Sequence, residues 1–290
     1  MNYVVSFADS RLHRSLTRLV QQARSMEVFN HIFMLNEKNL PADFRDCFKD
    51  RLVFGSRGFG YWSWKPEVIL MSLEKMNLGD CLLYVDAGCH LNMRGRKRLL
   101  EYFEIVKEQE TGIVAFQANP PSVGNSSLLH DGRKLVDQPN YRWIKGDLFD
   151  YFNMRSDERV VNAQAIGAGI ILIKKCDASA AIIDEWRGII RDRFELLDDT
   201  PSISENLEGF IEHRHDQAIW TLLCLKHDVR TLSAYEYWYP QNRLDGKLVP
   251  DWGVLRNFPI HAKRDKDLGP WKKSISQLLR VLRKVKSIVR

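Results

Sequence analysis

Apolar residues in this chain follow two rhythms. Short, nearly unbroken runs read as strands: Tyr3-Val4-Val5-Ser6-Phe7, Phe29 to Leu35, Cys81 to Val85, Ile113 to Gln117, and the stretch Asn162 to Ile173. Cys81 to Val85 is apolar at every position, as in a strand buried on both faces. Between the runs lie helical spacings: Leu12, Leu16, Leu19 and Val20 after the Ala8-Asp9-Ser10 loop, then Glu67 to Met76, Ala178 to Glu195, and Ala218 to Lys226. This alternation predicts an α/β fold with a mostly parallel central sheet and crossover helices. Tyr235, Tyr237, Trp238 and Tyr239 around Glu236 read as a further strand-like cluster. Residues 118–140 lack periodicity and are expected to form a mobile loop over a site.

Charge divides the chain. The net charge is +6, yet residues 271–290 hold seven Lys/Arg and no acid, leaving 36 basic against 37 acidic residues elsewhere. A near-neutral body argues against a nucleic-acid partner. In the tail Trp271, Ile275, Leu278, Leu282, Val285 and Val289 recur at spacings of four and three, one apolar stripe with the cations mostly off it. That pattern predicts a basic amphipathic helix lying on an anionic membrane surface; docking of the helix on the body is the alternative. The expected division is therefore a domain over 1–270 and an appended helix over 271–290. Five scattered cysteines form no zinc or redox spacing, Met1 to Asp9 lacks a basic n-region, and no apolar run approaches the roughly 18 residues of a spanning helix. The expectation is a cytoplasmic protein, free or peripheral on the inner membrane face.

Candidate chemistry gathers where strands end. Asp86 closes the buried run and is followed by Ala87 and Gly88; a carboxylate there can hold a divalent cation and, through it, a diphosphate. Otherwise Asp86 is a turn former. Asp9, after the first strand, can bond a base or ribose, or cap the next helix. Residues 55–66 combine three glycines, four large aromatics, Arg57 and Lys65 just before a helix, so both cations are phosphate candidates. Gly167 and Gly169 allow close approach of a ligand, or of a neighbouring strand. Asp216 and Gln217 open a helix and can bond sugar hydroxyls, or stabilise charge at an anomeric carbon. His261 is a candidate second cation ligand beside Asp86.

Taken in order, these motifs resemble the retaining glycosyltransferases of the GT-A fold typified by family 8, the lipopolysaccharide galactosyltransferase and glycogenin group. The carriers are Ala8-Asp9; Ser56-Arg57, Tyr61 and Lys65-Pro66-Glu67; Leu83-Tyr84-Val85-Asp86-Ala87-Gly88; Gly167-Ala168-Gly169-Ile170; Asp216-Gln217; and His261 with Leu268-Gly269-Pro270-Trp271. Gly-Tyr-Trp-x-Trp-Lys-Pro with Asp-Ala-Gly also looks like transferases of bacterial capsule and lipopolysaccharide clusters. The resemblance implies a GT-A-like sheet, a nucleotide-sugar donor and a glycan or glycolipid acceptor. It implies donor contacts from Ala8, Asp9, Arg57, Lys65, Asp86, Ala87, Gly88, Gly167 and Gly169, and Asp216 and Gln217 at the donor sugar. It also implies Mn²⁺ or Mg²⁺ held by Asp86 and His261, although the family's second acid is Gly88 here. A nucleotidyltransferase and a non-catalytic membrane scaffold are the rival readings.

Overall fold

The computed structural model describes residues 1–53, 55–121, 128, 135–242 and 248–266. The chain runs β1 (Asn2–Phe7), α1 (His13–Met26), β2 (His31–Leu35), α2 (Ala42–Cys47), α3 (Gly58–Tyr61), α4 (Trp64–Glu74), β3 (Cys81–Val85), β4 (His90–Leu91) and α5 (Arg96–Lys107). It continues through β5 (Ile113–Gln117), α6 (Gly146–Tyr151), α7 (Glu158–Val161), β6 (Ile166–Lys174), α8 (Asp177–Asp192), α9 (His215–Lys226), β7 (Arg230–Ser233), β8 (Pro240–Asn242), β9 (Leu248–Pro250) and β10 (Ile260–His261).

Six strands form the central sheet in the order β2-β1-β3-β6-β5-β7. The pairs β1–β2, β1–β3 and β5–β7 are parallel, whereas β6 is antiparallel to both β3 and β5. The sheet is thus mostly parallel, as expected, with one reversed strand at its centre. Strand periodicity sends alternate side chains to opposite layers. Tyr3, Val5, Leu82 and Tyr84 pack with α4, α8 and α9, whereas Val4, Leu83 and Val85 pack with α1 and α5. Trp186 of α8 and Trp220 of α9 meet at 4.9 Å between ring centroids and anchor the first layer.

The register slips between the pairs Val114–Leu172 and Phe116–Gly167. This irregularity lies beside the end of β3, where such distortions re-aim side chains. The Tyr235–Tyr239 cluster is not a strand: Ala234–Glu236 is a 3₁₀ turn. It forms because the Ser233 hydroxyl accepts the Tyr235 N–H and the Glu236 carboxylate turns inward to Arg98 and Tyr102. The boundary expected at residue 270, the tail helix over 271–290 and most of the 118–140 loop lie outside the described residues. Among the described residues no helix is long and apolar enough to cross a membrane.

Candidate active site

Lys65 sits in the first turn of α4, where Pro66 costs no intrahelical bond. The apolar run of α4 carries Lys65 into the core, leaving it 1% exposed. Its ammonium has three oxygen neighbours: the Ala168 carbonyl at 2.9 Å, Asp216 Oδ2 at 2.5 Å and Asp86 Oδ1 at 3.4 Å. Burial works to discharge Lys65, but the two carboxylates prevail and hold its pKa above the ordinary value. Burial pushes the Asp216 carboxyl up, and Lys65 pulls against it.

Asp86 leaves the carboxyl end of β3 on the same face as Tyr84, two residues earlier. The Tyr84 hydroxyl donates to Asp86 Oδ1 at 2.7 Å. The Asp86 side chain remains 38% exposed, so this carboxylate is the outlet of an otherwise buried polar chain. Gly169 lies opposite, and a Cβ there would stand 2.8 Å from Asp86 Oδ2. Gly167 makes the same allowance for the Tyr237 hydroxyl, at 2.5 Å. Both glycines therefore make room for protein side chains.

Asp216 and Gln217 enter from α9, which is fastened to β6 by Thr221. The Thr221 hydroxyl accepts from Ile166 N–H at 3.1 Å and lies 2.8 Å from the Gln217 carbonyl. The Gln217 amide side chain is half-buried and has no partner among the described residues.

A second polar group adjoins the first. The Lys145 ammonium donates to the carbonyls of Glu195, Asp198 and Thr200. His213 Nε2 donates to the Leu196 carbonyl at 2.9 Å, and His215 Nδ1 to that of Leu197 at 2.8 Å. These contacts shape the 194–200 segment and present Asp199. Arg57 reaches Asp199 Oδ1 at 3.1 Å, and the Tyr61 hydroxyl donates to Oδ2 at 2.9 Å. Burial lowers the pKa of His213 well below the ordinary value, and that of His215 also falls, so both stay neutral. Sequence reasoning singled out neither Lys145 nor Asp199, and it placed Tyr84 and Tyr237 only within a strand motif and an aromatic cluster. Only the position of Tyr84, two residues before Asp86 in a strand, was a usable signal.

Lys65, Asp86, Gly169 and Asp216 are thus brought together. Ala8 and Asp9 lie at the same sheet end, after β1, but Asp9 already receives the Arg11 guanidinium at 2.6 Å from both Nε and Nη2. Arg57 contacts Asp199 and not Asp86. The Ala87 carbonyl accepts from Arg18 Nη2 at 2.9 Å. His261 lies elsewhere in its bonding: its Nε2 meets the Leu255 carbonyl at 2.8 Å and its ring stacks on Trp252.

This donor set does not fit Mn²⁺ or Mg²⁺. Asp86 Oδ1 already accepts from Tyr84 and faces an ammonium, the second acid is Gly88, and His261 Nε2 is engaged. Among the described residues no three His, Cys, Asp or Glu side chains converge to hold a cation.

No protein-family model matches the sequence. No curated protein matches it. Among solved structures the chain is similar to a glycosyltransferase involved in the glycosylation of the major capsid of PBCV-1, at 10% identity over 92% of this chain and 98% of that one, with a TM-score of 0.46. It is similar to mouse xyloside xylosyltransferase 1 at 10% identity over 82% of this chain and 87% of that one, TM-score 0.42. It is also similar to the galactosyltransferase LgtC at 12% identity over 82% of this chain and 74% of that one, TM-score 0.36. Likenesses this distant carry no functional argument.

Proposed function

We propose that the protein is a glycosyltransferase, moving a sugar from a nucleotide-sugar donor to a glycan or glycolipid acceptor. The observation that carries this reading is the buried Lys65 ammonium, held by Asp216 and passed to the half-exposed Asp86 at the carboxyl end of β3. Ligands collect at that end of an open α/β sheet. An ammonium fixed there favours a phosphate oxygen as negative charge develops on it.

In the reaction the bond between the anomeric carbon and the diphosphate breaks, and its electron pair leaves with the diphosphate. The acceptor hydroxyl forms the new bond and gives its proton to the departing diphosphate. Asp216 is a poor proton acceptor because Lys65 occupies its Oδ2, so its role is to hold Lys65 charged and to border the donor sugar with Gln217. Ala8 and Asp9 line the nucleoside side, and Arg57 the outer edge near Asp199.

The finer reading is a lipopolysaccharide or capsule chain as acceptor, reached at the inner face of the cell membrane. The basic apolar stripe of 271–290 supports it. The test is a panel of UDP-, GDP-, dTDP- and CMP-sugars, read by thermal shift and by nucleotide release. One class raises the melting temperature, equivalent to about 2.7 kcal/mol at a hundredfold excess over Kd, and is hydrolysed or transferred. Asp216→Asn cuts that release roughly a hundredfold while the protein stays folded. If no donor binds, or Asp216→Asn turns over like wild type, the proposal fails.

A further inference from the structure

The donor set around Asp86 rejects a divalent cation, yet a diphosphate carries charge that must be offset. The residue that covers Gly88 supplies a way to do this. A Cβ on Gly88 would stand 3.3 Å from the Arg264 Cα, and the Asp265 N–H bonds the Gly88 carbonyl at 3.0 Å. The 264–265 backbone therefore fills the space where the side chain of a second metal-binding acid would begin.

Arg264 has φ of 54°, a left-handed conformation that a non-glycine residue adopts at a cost of roughly 1–2 kcal/mol. Such strain persists where the surroundings impose it, and it clusters at ligand clamps. Arg264 is exposed, and its guanidinium has no hydrogen-bond partner among the described residues. Its neighbour Arg18, in contrast, is spent on the carbonyls of Ala87, Cys89 and Asp265. The Arg264 charge is near enough to bear on Cys89 and Tyr237, which the Asp86 charge also reaches, and on Arg214.

A cation bound to Asp86 would sit within a few ångströms of the Lys65 ammonium, which is 3.4 Å from the same carboxylate oxygen. A divalent cation and an ammonium at that range repel by roughly 8 kcal/mol even at an effective dielectric of 20. A bidentate guanidinium paired with a phosphate meets no such obstacle at the exposed rim.

We propose that this chain binds the diphosphate of its donor without a divalent cation. In place of the metal, the guanidinium of Arg264, whose backbone lies against Gly88, takes the phosphate oxygens, and Lys65 assists from below. This inference rests on the transferase reading and gives it a specific form.

The test is calorimetric titration of the full chain with UDP, GDP, CDP and dTDP, and with the parent nucleosides, in EDTA and in excess Mn²⁺ or Mg²⁺. The expected result is that one diphosphate binds in EDTA and gains less than about threefold from either cation. Arg264→Ala should weaken that binding by about ten- to a hundredfold, the loss of a charged hydrogen-bond pair. Nucleoside affinity and the melting temperature of the unliganded protein should not change. Arg264→Gly, which keeps the left-handed backbone, should behave like Arg264→Ala, and Arg264→Lys should recover part of the loss. A cation that tightens binding by more than about tenfold, or wild-type affinity in Arg264→Ala, overturns the inference while the transferase reading stands. Absence of binding by every diphosphate under both conditions overturns the transferase reading and this inference with it.

Discussion

Lys65→Met tests the centre of the site. The substitution keeps most of the aliphatic volume and removes the ammonium from between Asp216, Asp86 and the Ala168 carbonyl. Asp216 is 7% exposed, so without Lys65 it must take up a proton or stay charged in a low-dielectric setting. Protonation sets the ceiling on the loss. Bringing a carboxyl of ordinary pKa near 3.9 to the neutral form at pH 7 costs about 4 kcal/mol, at about 1.36 kcal/mol per unit. That value lies within the roughly 3–5 kcal/mol seen when one partner of a buried pair is removed. At pH 5 the same step costs only about 1.5 kcal/mol.

The sign is fixed by linkage. In the variant Asp216 has a folded pKa raised above its unfolded value, so the penalty grows as pH rises above about 4. In the wild type Lys65 has a raised pKa, so its contribution is fully present at both pH values, while burial also raises Asp216 there, so the losses below are upper limits. Urea unfolding at pH 5 and pH 7 reads the difference. Lys65→Met should lose about 4 kcal/mol at pH 7 and about 1.5 at pH 5, and Lys65→Met/Asp216→Leu should recover most of the loss at pH 7. An equal loss at both pH values, or a loss under about 1 kcal/mol at pH 7, refutes the assignment of Lys65 as the partner of a buried carboxylate.

Other substitutions separate site from scaffold. Gly169→Ala places a methyl 2.8 Å from Asp86 Oδ2, so donor turnover should fall at least about tenfold through displacement of that carboxylate, with a melting temperature near wild type. Glu236→Leu removes the bidentate carboxylate that holds Arg98 at 2.8 and 2.7 Å while Glu101 stays at 2.9 Å, and should cost about 2 kcal/mol in urea unfolding without altering donor affinity. His213 is neutral when folded because burial depresses its pKa, whereas unfolding lets it protonate below about pH 6.5. Stability should therefore fall as pH drops through that value, and His213→Gln should flatten the slope of melting temperature against pH. Deleting 272–290 should abolish co-sedimentation with anionic vesicles and spare donor hydrolysis; unchanged co-sedimentation refutes the membrane reading of the tail.

What the sequence disclosed follows from which features are local. Cys81 to Val85 and Ile113 to Gln117 are strands at their predicted limits, the first apolar at all five positions and the second at four before Gln117, with burial on both faces. The direction of β6 was not legible, since an apolar run buried on both faces looks alike in either orientation. Lys65, Asp86 and Asp216 were legible as polar residues at the ends of apolar elements. Their convergence was not, because it depends on α4 and α9 flanking β6 from one layer. Asp9 and His261 each have a partner that sequence spacing does not reveal, Arg11 for one and the Leu255 carbonyl for the other. Asp199 could not have been found, since its neighbours come from α3 and from a segment shaped by Lys145, His213 and His215.

The distribution of backbone strain argues that this end of the sheet was built for a ligand. Gly58, Phe59, Gly60, Tyr61 and Trp62 all have positive φ, between 52° and 83°, so the chain makes a left-handed turn immediately before α4. His215, the residue before Asp216, has φ of 50°. Four of these six residues are not glycine, and each costs roughly 1–2 kcal/mol in that conformation. The two strained segments also pack together, with Tyr61 and Trp62 at 5.1 and 5.9 Å from the His215 ring. A core designed for stability alone would avoid this cost and would replace the Lys65–Asp216 pair with hydrocarbon, which is often neutral or stabilising. Here the strain lies just before the two residues that form the pair, ending at Trp62, three residues ahead of Lys65, and at His215, next to Asp216. It fixes the angle at which α4 and α9 present Lys65 and Asp216 beneath Asp86. That arrangement fits a charged group arriving from the open side, the role proposed above for the donor's diphosphate.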